Sequence, residues 1–223
     1  MPDIDVVVFD VDDTIYPERD YVRSGFHAVG AAAARHDIEG LGDACWSLFL
    51  AGHRSTTFDT ALEELGVTPD PTLISELVET YRAHEPLITP RPEFTDLLPH
   101  LTGRHLAVLT DGPAVSQRAK TAALGVAEWS ELTIYTAELG EGRGKPDPLG
   151  FQRIQERFPG MHCCYIADNP AKDFAGPKVL GWSTLRLRTA DQLHAGMASG
   201  SDVDIEIESL AEVMSHLRRD ADG

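Results

Sequence analysis

Short, wholly apolar runs punctuate the chain, and apolar positions recur at helical spacing between them. Residues 5–9 (DVVVF), 106–109 and 163–167 lack the alternation of a half-exposed strand. They read as strands buried on both faces of a parallel sheet. Residues 132–135 and 183–187 repeat the pattern more weakly. Residues 115–124, ending at Gly125, and 148–158, ending near Pro159 and Gly160, read as helices, as does a shorter stretch ending at Gly181. Glycine after a helix supplies the left-handed residue that stops it. This alternation over 104–187 predicts an α/β fold with a doubly wound (Rossmann-like) parallel sheet. A last strand at 203–205 and a helix closing the sheet are expected within 202–219. The small, polar stretch 189–202 is expected to be a surface loop.

Residues 18–85 break the alternation. Segments 25–35, 43–50, 58–65 and 73–84 read as amphipathic helices, the last following the helix-start signal Pro71. The simplest organisation is an α/β core made of residues 1–17 and 86–223. A small helical domain, 18–85, is inserted after the first strand and returns through Pro86, Pro90 and Pro92.

Composition narrows the function classes. Thirty-six acidic residues against 19 Lys and Arg give a net charge of −17, which opposes binding to nucleic acid or anionic lipid. No run of 18 or more apolar residues occurs, so no membrane span is expected. The first residues lack a basic start and a small-residue cleavage site, so no signal peptide is expected. Cys45, Cys163 and Cys164 form no Cys-x-x-Cys pair, and the expectation is buried, reduced thiols in a cytoplasmic protein. An anionic ligand would need a metal ion or a well-placed lysine. Only four lysines occur against 15 arginines, and Lys145, Lys172 and Lys178 lie close together in sequence.

The candidate chemistry sits where the predicted strands end, the ligand side of an open α/β sheet. The first strand runs into Asp10-Val11-Asp12-Asp13-Thr14. Alternation puts Asp10 and Asp12 on one side of the chain, where they repel unless a cation lies between them or one is protonated. The second strand ends in Thr110-Asp111-Gly112, and a Thr hydroxyl beside free backbone N–H groups can bind a phosphate oxygen. Lys145 stands in Gly-Lys-Pro, neither a P-loop nor a dinucleotide fingerprint. It is either a solvated loop lysine or a fixed point charge. A further strand ends in Asp168-Asn169-Pro170-Ala171-Lys172-Asp173. Each motif alone is compatible with turn and cap chemistry. Together, carboxylates and one lysine at four strand ends suit a hard divalent cation and a phosphoryl group.

These four motifs resemble those of the haloacid dehalogenase-like hydrolase superfamily, phosphatase type, over nearly all of the α/β part. Motif one is Asp10-x-Asp12-x-Thr14, motif two ends in Thr110, motif three is Lys145 and motif four runs from Asp168 to Asp173. The insert stands where members with a small helical cap carry it. The resemblance implies a Mg²⁺-dependent phosphatase acting on a small phosphorylated metabolite. It implies Asp10 as nucleophile, forming an aspartyl-phosphate, and Asp12 as acid and then base with a raised pKa. Mg²⁺ would be held by the Asp10 side chain, the Asp12 carbonyl and Asp168. Thr110 and Lys145 would hold phosphoryl oxygens, with Asp111 beside them. Asp173 would position Lys145 or a water on the metal, and Thr14 would support motif one. Asp111, where Asn is often found, and Ala167, in place of the usual Gly, depart from the pattern. Asp12 disfavours dehalogenation, since a halide leaves without a proton. A phosphomutase using the same site is the alternative enzyme, and a module phosphorylated on Asp is the alternative outside enzymes. No Gly-x-Ser-x-Gly is present for a serine hydrolase.

Overall fold

The computed structural model of the protein describes residues 3–217. The strands are β1 (Val6–Phe9), β2 (His105–Thr110), β3 (Leu132–Tyr135), β4 (Cys163–Ala167), β5 (Ser183–Leu187) and β6 (Ile205–Ile207). They pair in parallel throughout, in the order β3-β2-β1-β4-β5-β6. The chain therefore builds outward from β1 on one side, then crosses back to build outward on the other. The switch between β1 and β4 leaves a crevice at the carboxyl ends, the usual ligand position in such sheets. Register makes the central ends level: Phe9 stands opposite Val108 of β2 and Ile166 of β4. The Asp10 N–H continues the ladder by donating to the Ile166 carbonyl at 2.9 Å.

Every residue of β1 and β4 is buried, the reason these runs show no polar alternation. On one face Val6, Val8, Ala107, Leu109 and Tyr165 pack with Phe151 and Ile154 of α7 (Leu149–Arg157). On the other, Phe9 meets Phe94 of α5 (Pro92–Leu97) edge-on at 5.2 Å, and Phe94 meets Trp129 at 5.2 Å. Helices α6 (Ala114–Ala123), α8 (Ala175–Val179) and α9 (Val213–Leu217) complete the layers.

The chain divides into two compact units, Met1–Arg19 with Thr89–Gly223, and Asp20–Ile88. The second is built from α1 (Glu18–Ala33), which starts just before it, α2 (Leu41–Leu50), α3 (Thr57–Glu64) and α4 (Pro71–Ala83). Asp70 caps α4, its carboxylate accepting from Thr72 and Leu73 N–H. Its core is aromatic: Phe26 lies 5.5 Å from the Tyr81 ring, 6.2 Å from Phe58 and 6.4 Å from Phe49.

Two local readings of the sequence change, and a third gains detail. The return segment holds a helix, α5, because Pro92 occupies its first turn, where a missing N–H is harmless. Strand β6 lies two residues beyond 203–205, since Asp204 turns its carboxylate to Lys178 Nζ (2.6 Å) and Thr184 N–H (2.9 Å) instead of extending the strand. The stretch 189–202 is a surface loop, as expected, with residues 196–201 exposed, but it is also tied to the core. Arg186, 1% exposed, donates to the carbonyls of His194 (2.9 Å), Met197 (2.8 Å) and Asp168 (3.0 Å). Gln192 is buried and donates to the Asp13 carbonyl at 2.7 Å. The three cysteines are free and buried, as expected, and burial pushes the Cys45 and Cys163 thiols up to about 12.

Candidate active site

The loops leaving β1, β2 and β4, with the one before α7, bring together the residues singled out in the sequence. Lys145 is their hub. Its ammonium lies 2.7 Å from Asp173 Oδ1 and 2.9 Å from Asp10 Oδ1, and donates to the Tyr165 hydroxyl at 3.1 Å. With 7% of its surface exposed, Lys145 is not a solvated loop lysine. Burial alone would favour the neutral amine, but Asp10 and Asp173 outweigh it and raise the Lys145 pKa well above the ordinary lysine value. Asp173 is fully buried, and its second oxygen accepts the Asn169 N–H at 2.9 Å, which closes the motif-four turn.

Asp10, Asp168 and Asp173 each offer a carboxylate oxygen within 4.8 Å of the others. Burial, opposed by Lys145, pushes the Asp10 carboxyl up to about 6. Burial together with Asp173 and Asp10 pushes Asp168 up to about 9. Asp168 Oδ2 is buried without a hydrogen-bond partner. An all-oxygen cluster with one orphaned oxygen fits a hard divalent cation such as Mg²⁺. The three side chains that converge are Asp10, Asp168 and Asp173. The side chain of Asp12 is not among them.

The two carboxylates of motif one are held apart, each with its own lysine. Asp12 Oδ1 lies 2.7 Å from Lys120 Nζ of α6 and accepts the Tyr16 hydroxyl, while Oδ2 accepts Gln117 Nε2 at 2.9 Å. Burial pushes the Asp12 pKa up, but Lys120 and these hydrogen bonds outweigh it, and the net direction is down. This corrects the expectation of a raised value: the raising effect of burial is present, yet a buried ammonium two turns into α6 reverses it.

Thr110, at the end of β2, donates to Gln117 Oε1 at 2.7 Å. Asp111 has two side-chain partners of its own. Its Oδ1 accepts the Thr136 hydroxyl and its Oδ2 lies 3.8 Å from Lys172 Nζ. Gly144 packs against it so closely that a Cβ there would lie 2.7 Å from Asp111 Oδ1, so this carboxylate sets the path of the chain just before Lys145. Thr14 is fully buried and its hydroxyl lacks a hydrogen-bond partner. Asp13, which the sequence reading gave no role, has φ +54° and accepts the Glu18 and Leu193 N–H groups, both at 2.8 Å.

Sequence reasoning missed Tyr16, Gln117, Lys120 and Tyr165. The available signal was in α6: Gln117 and Lys120 are three apart, hence on one helix face, and Lys120 is one of only four lysines.

The model of the haloacid dehalogenase-like hydrolase family matches residues 4–181. A glyceraldehyde 3-phosphate phosphatase from Methanopyrus kandleri is 27% identical over 96% of this chain and 97% of its own length. A phosphoserine phosphatase from Thermus thermophilus is 33% identical over 75% of this chain and 68% of its own. Among solved structures, magnesium-bound HAD-hydrolase YfnB from Bacillus subtilis superposes with a TM-score of 0.69 at 19% identity, covering 97% of this chain and all of that one. The two relatives named are both phosphatases, and this chain belongs to the haloacid dehalogenase-like hydrolase family.

Proposed function

We propose that the protein is a Mg²⁺-dependent phosphatase that hydrolyses a small phosphorylated metabolite through an aspartyl-phosphate on Asp10. The observation that carries this reading is the Lys145 ammonium held between Asp10 and Asp173, next to an Asp168 oxygen with no partner. Asp10, Asp168 and Asp173, with the Asp12 carbonyl, would hold the cation. When bound, it neutralises the carboxylates and the phosphoryl oxygens so that two anions can approach.

Lys145 orients Asp10 through Oδ1 and supplies a fixed positive charge for phosphoryl oxygens as charge builds. Thr110 offers its hydroxyl to the same group. An Asp10 oxygen attacks phosphorus, the bond to the leaving oxygen breaks, and Asp12 gives that oxygen a proton. Water then loses a proton to Asp12 and attacks the aspartyl-phosphate, releasing Asp10 and phosphate. The lowered Asp12 pKa keeps the carboxylate ionised, the form the base step needs. For the acid step Asp12 takes up a proton first, and a phosphomonoester monoanion, with a second pKa of about 6, carries one.

The glyceraldehyde 3-phosphate and phosphoserine of the relatives' names are both short phosphomonoesters, and a substrate of that size is proposed here. The helical unit Asp20–Ile88, inserted directly after motif one, is proposed as the cap that selects it. The test is phosphate release from a panel of phosphorylated metabolites, with and without Mg²⁺, followed by intact-mass analysis of rapidly quenched enzyme. A Mg²⁺-dependent rate and an adduct of one phosphoryl group, absent in Asp10→Asn, are expected. Full turnover in excess chelator, or an adduct on another residue, refutes the reading.

A further inference from the structure

Gln117 links the two functional ends of the site. Its Nε2 faces two acceptors, Asp12 Oδ2 at 2.9 Å and the Asp111 carbonyl at 3.2 Å. This fixes the amide orientation and turns Oε1 to Thr110, which donates to it at 2.7 Å. Gln117 is 2% exposed and Lys120 4%, so these are built contacts and not surface encounters. The backbone makes room for the arrangement: a Cβ on Gly112, at φ +136°, would lie 2.9 Å from Gln117 Nε2.

A threonine hydroxyl has one proton to give. Thr110 gives it to Gln117, so a phosphoryl oxygen can receive it only when that bond is released. Release frees one end of Gln117, whose other end holds Asp12. We propose that Gln117 is a positioning residue that couples arrival of the phosphoryl group at Thr110 to the placement of the Asp12 carboxylate, with Lys120 as the second anchor of that carboxylate. The inference rests on the phosphatase reading, in which Asp12 is the acid and base.

The coupling has a sign that a merely structural role lacks. Gln117→Leu removes the competitor for the Thr110 proton, so inorganic phosphate should bind more tightly, by roughly three- to tenfold for one hydrogen bond no longer broken. The same change loosens Asp12, so kcat should fall by about 100-fold. Lys120→Met should lower kcat while the inhibition constant of phosphate stays within about twofold, and Lys120→Arg should recover most of the rate.

The experiment is steady-state hydrolysis of an aryl phosphate by the full chain with Mg²⁺, with inorganic phosphate as competitive inhibitor, on variants whose melting temperature is checked. Gln117→Met serves if Gln117→Leu fails to fold. Tighter phosphate with slower turnover supports the coupling. Unchanged or weaker phosphate binding in a folded Gln117 variant, beside normal wild-type activity, overturns the coupling alone. A wild type without Mg²⁺-dependent turnover overturns the phosphatase reading and the coupling with it.

Discussion

Replacing Lys145 by methionine keeps the length and apolar stem of the side chain and removes only the charge. Its ammonium sits 2.7 Å from Asp173 and 2.9 Å from Asp10, with 1% of the side chain exposed. At an effective dielectric of about 20, each contact is an attraction of about 6 kcal/mol before desolvation is subtracted. Breaking one buried pair costs about 3–5 kcal/mol, because the partner charge is left behind. Here two carboxylates lose the same cation, so a loss near the top of that range, about 5 kcal/mol, is expected for the metal-free protein. At about 2–4 °C per kcal/mol for a chain of this size, the melting temperature should fall by about 10–20 °C. The assay is thermal unfolding in chelator near neutral pH, repeated with Mg²⁺, which should recover part of the loss by balancing the same acids. As pH drops below about 6 the gap should narrow, since Asp10, held up to about 6, then carries a proton and needs no counter-charge. A metal-free Lys145→Met protein that melts within about 2 °C of wild type would refute the reasoning and return Lys145 to a minor structural role.

Three more outcomes are expected. Asp168 has its pKa raised on folding, so its contribution to metal-free stability is full below the ordinary carboxylate value and is lost as pH rises towards 9; Mg²⁺ binds the ionised form, so the gain in melting temperature on adding Mg²⁺ should grow from pH 6 to 9, and a pH-independent gain would contradict it. In rapid-quench kinetics with an aryl phosphate, Asp12→Asn should give a burst of aryl alcohol and a trapped phosphoprotein, and Asp10→Asn neither, whereas phosphorylated Asp10→Asn would reassign the nucleophile. Arg186→Met should cost about 3 kcal/mol, because three carbonyls, that of Asp168 buried and the other two partly so, lose their donor, and should speed hydrogen exchange across 189–202; unchanged exchange there would show that the loop is held by other contacts.

What the sequence disclosed follows from where its physics is local. An apolar run that stops at an acid marks a strand end, and the parallel sheet brings all such ends to one edge, so Asp10, Thr110 and Asp168 could be read before any coordinates. Lys145 and Asp173 were legible as residues but not as a buried pair, because nothing in a loop sequence says which lysine is covered. Lys120 and Gln117 were hidden for the opposite reason. On an amphipathic helix polar positions normally face solvent, and only the docking of α6 beside motif one turns this pair inward. The direction of the Asp12 shift followed from the same omission: with Lys120 unseen, only burial and neighbouring carboxylates were left to set it. Helix α5 was obscured by its prolines, which read equally well as a connecting segment.

The scarcity of lysine has a practical consequence for chemical probing. Of the four side-chain amines, Lys120 and Lys145 are only 4% and 7% exposed, while Lys172 and Lys178 keep about a third of their side chains in solvent. An amine-acylating reagent applied to the folded protein should therefore mark Lys172 and Lys178, and spare the other two. Peptide mapping would then give a ratio, Lys145 over Lys178 labelling, that rises when the acidic cluster around Lys145 opens. Because Lys145 faces two of the three clustered acids, that ratio also reports how far a divalent cation holds the centre shut. Arginine, in 15 of the 19 basic positions, stays silent to such a reagent, so the background is low by composition alone.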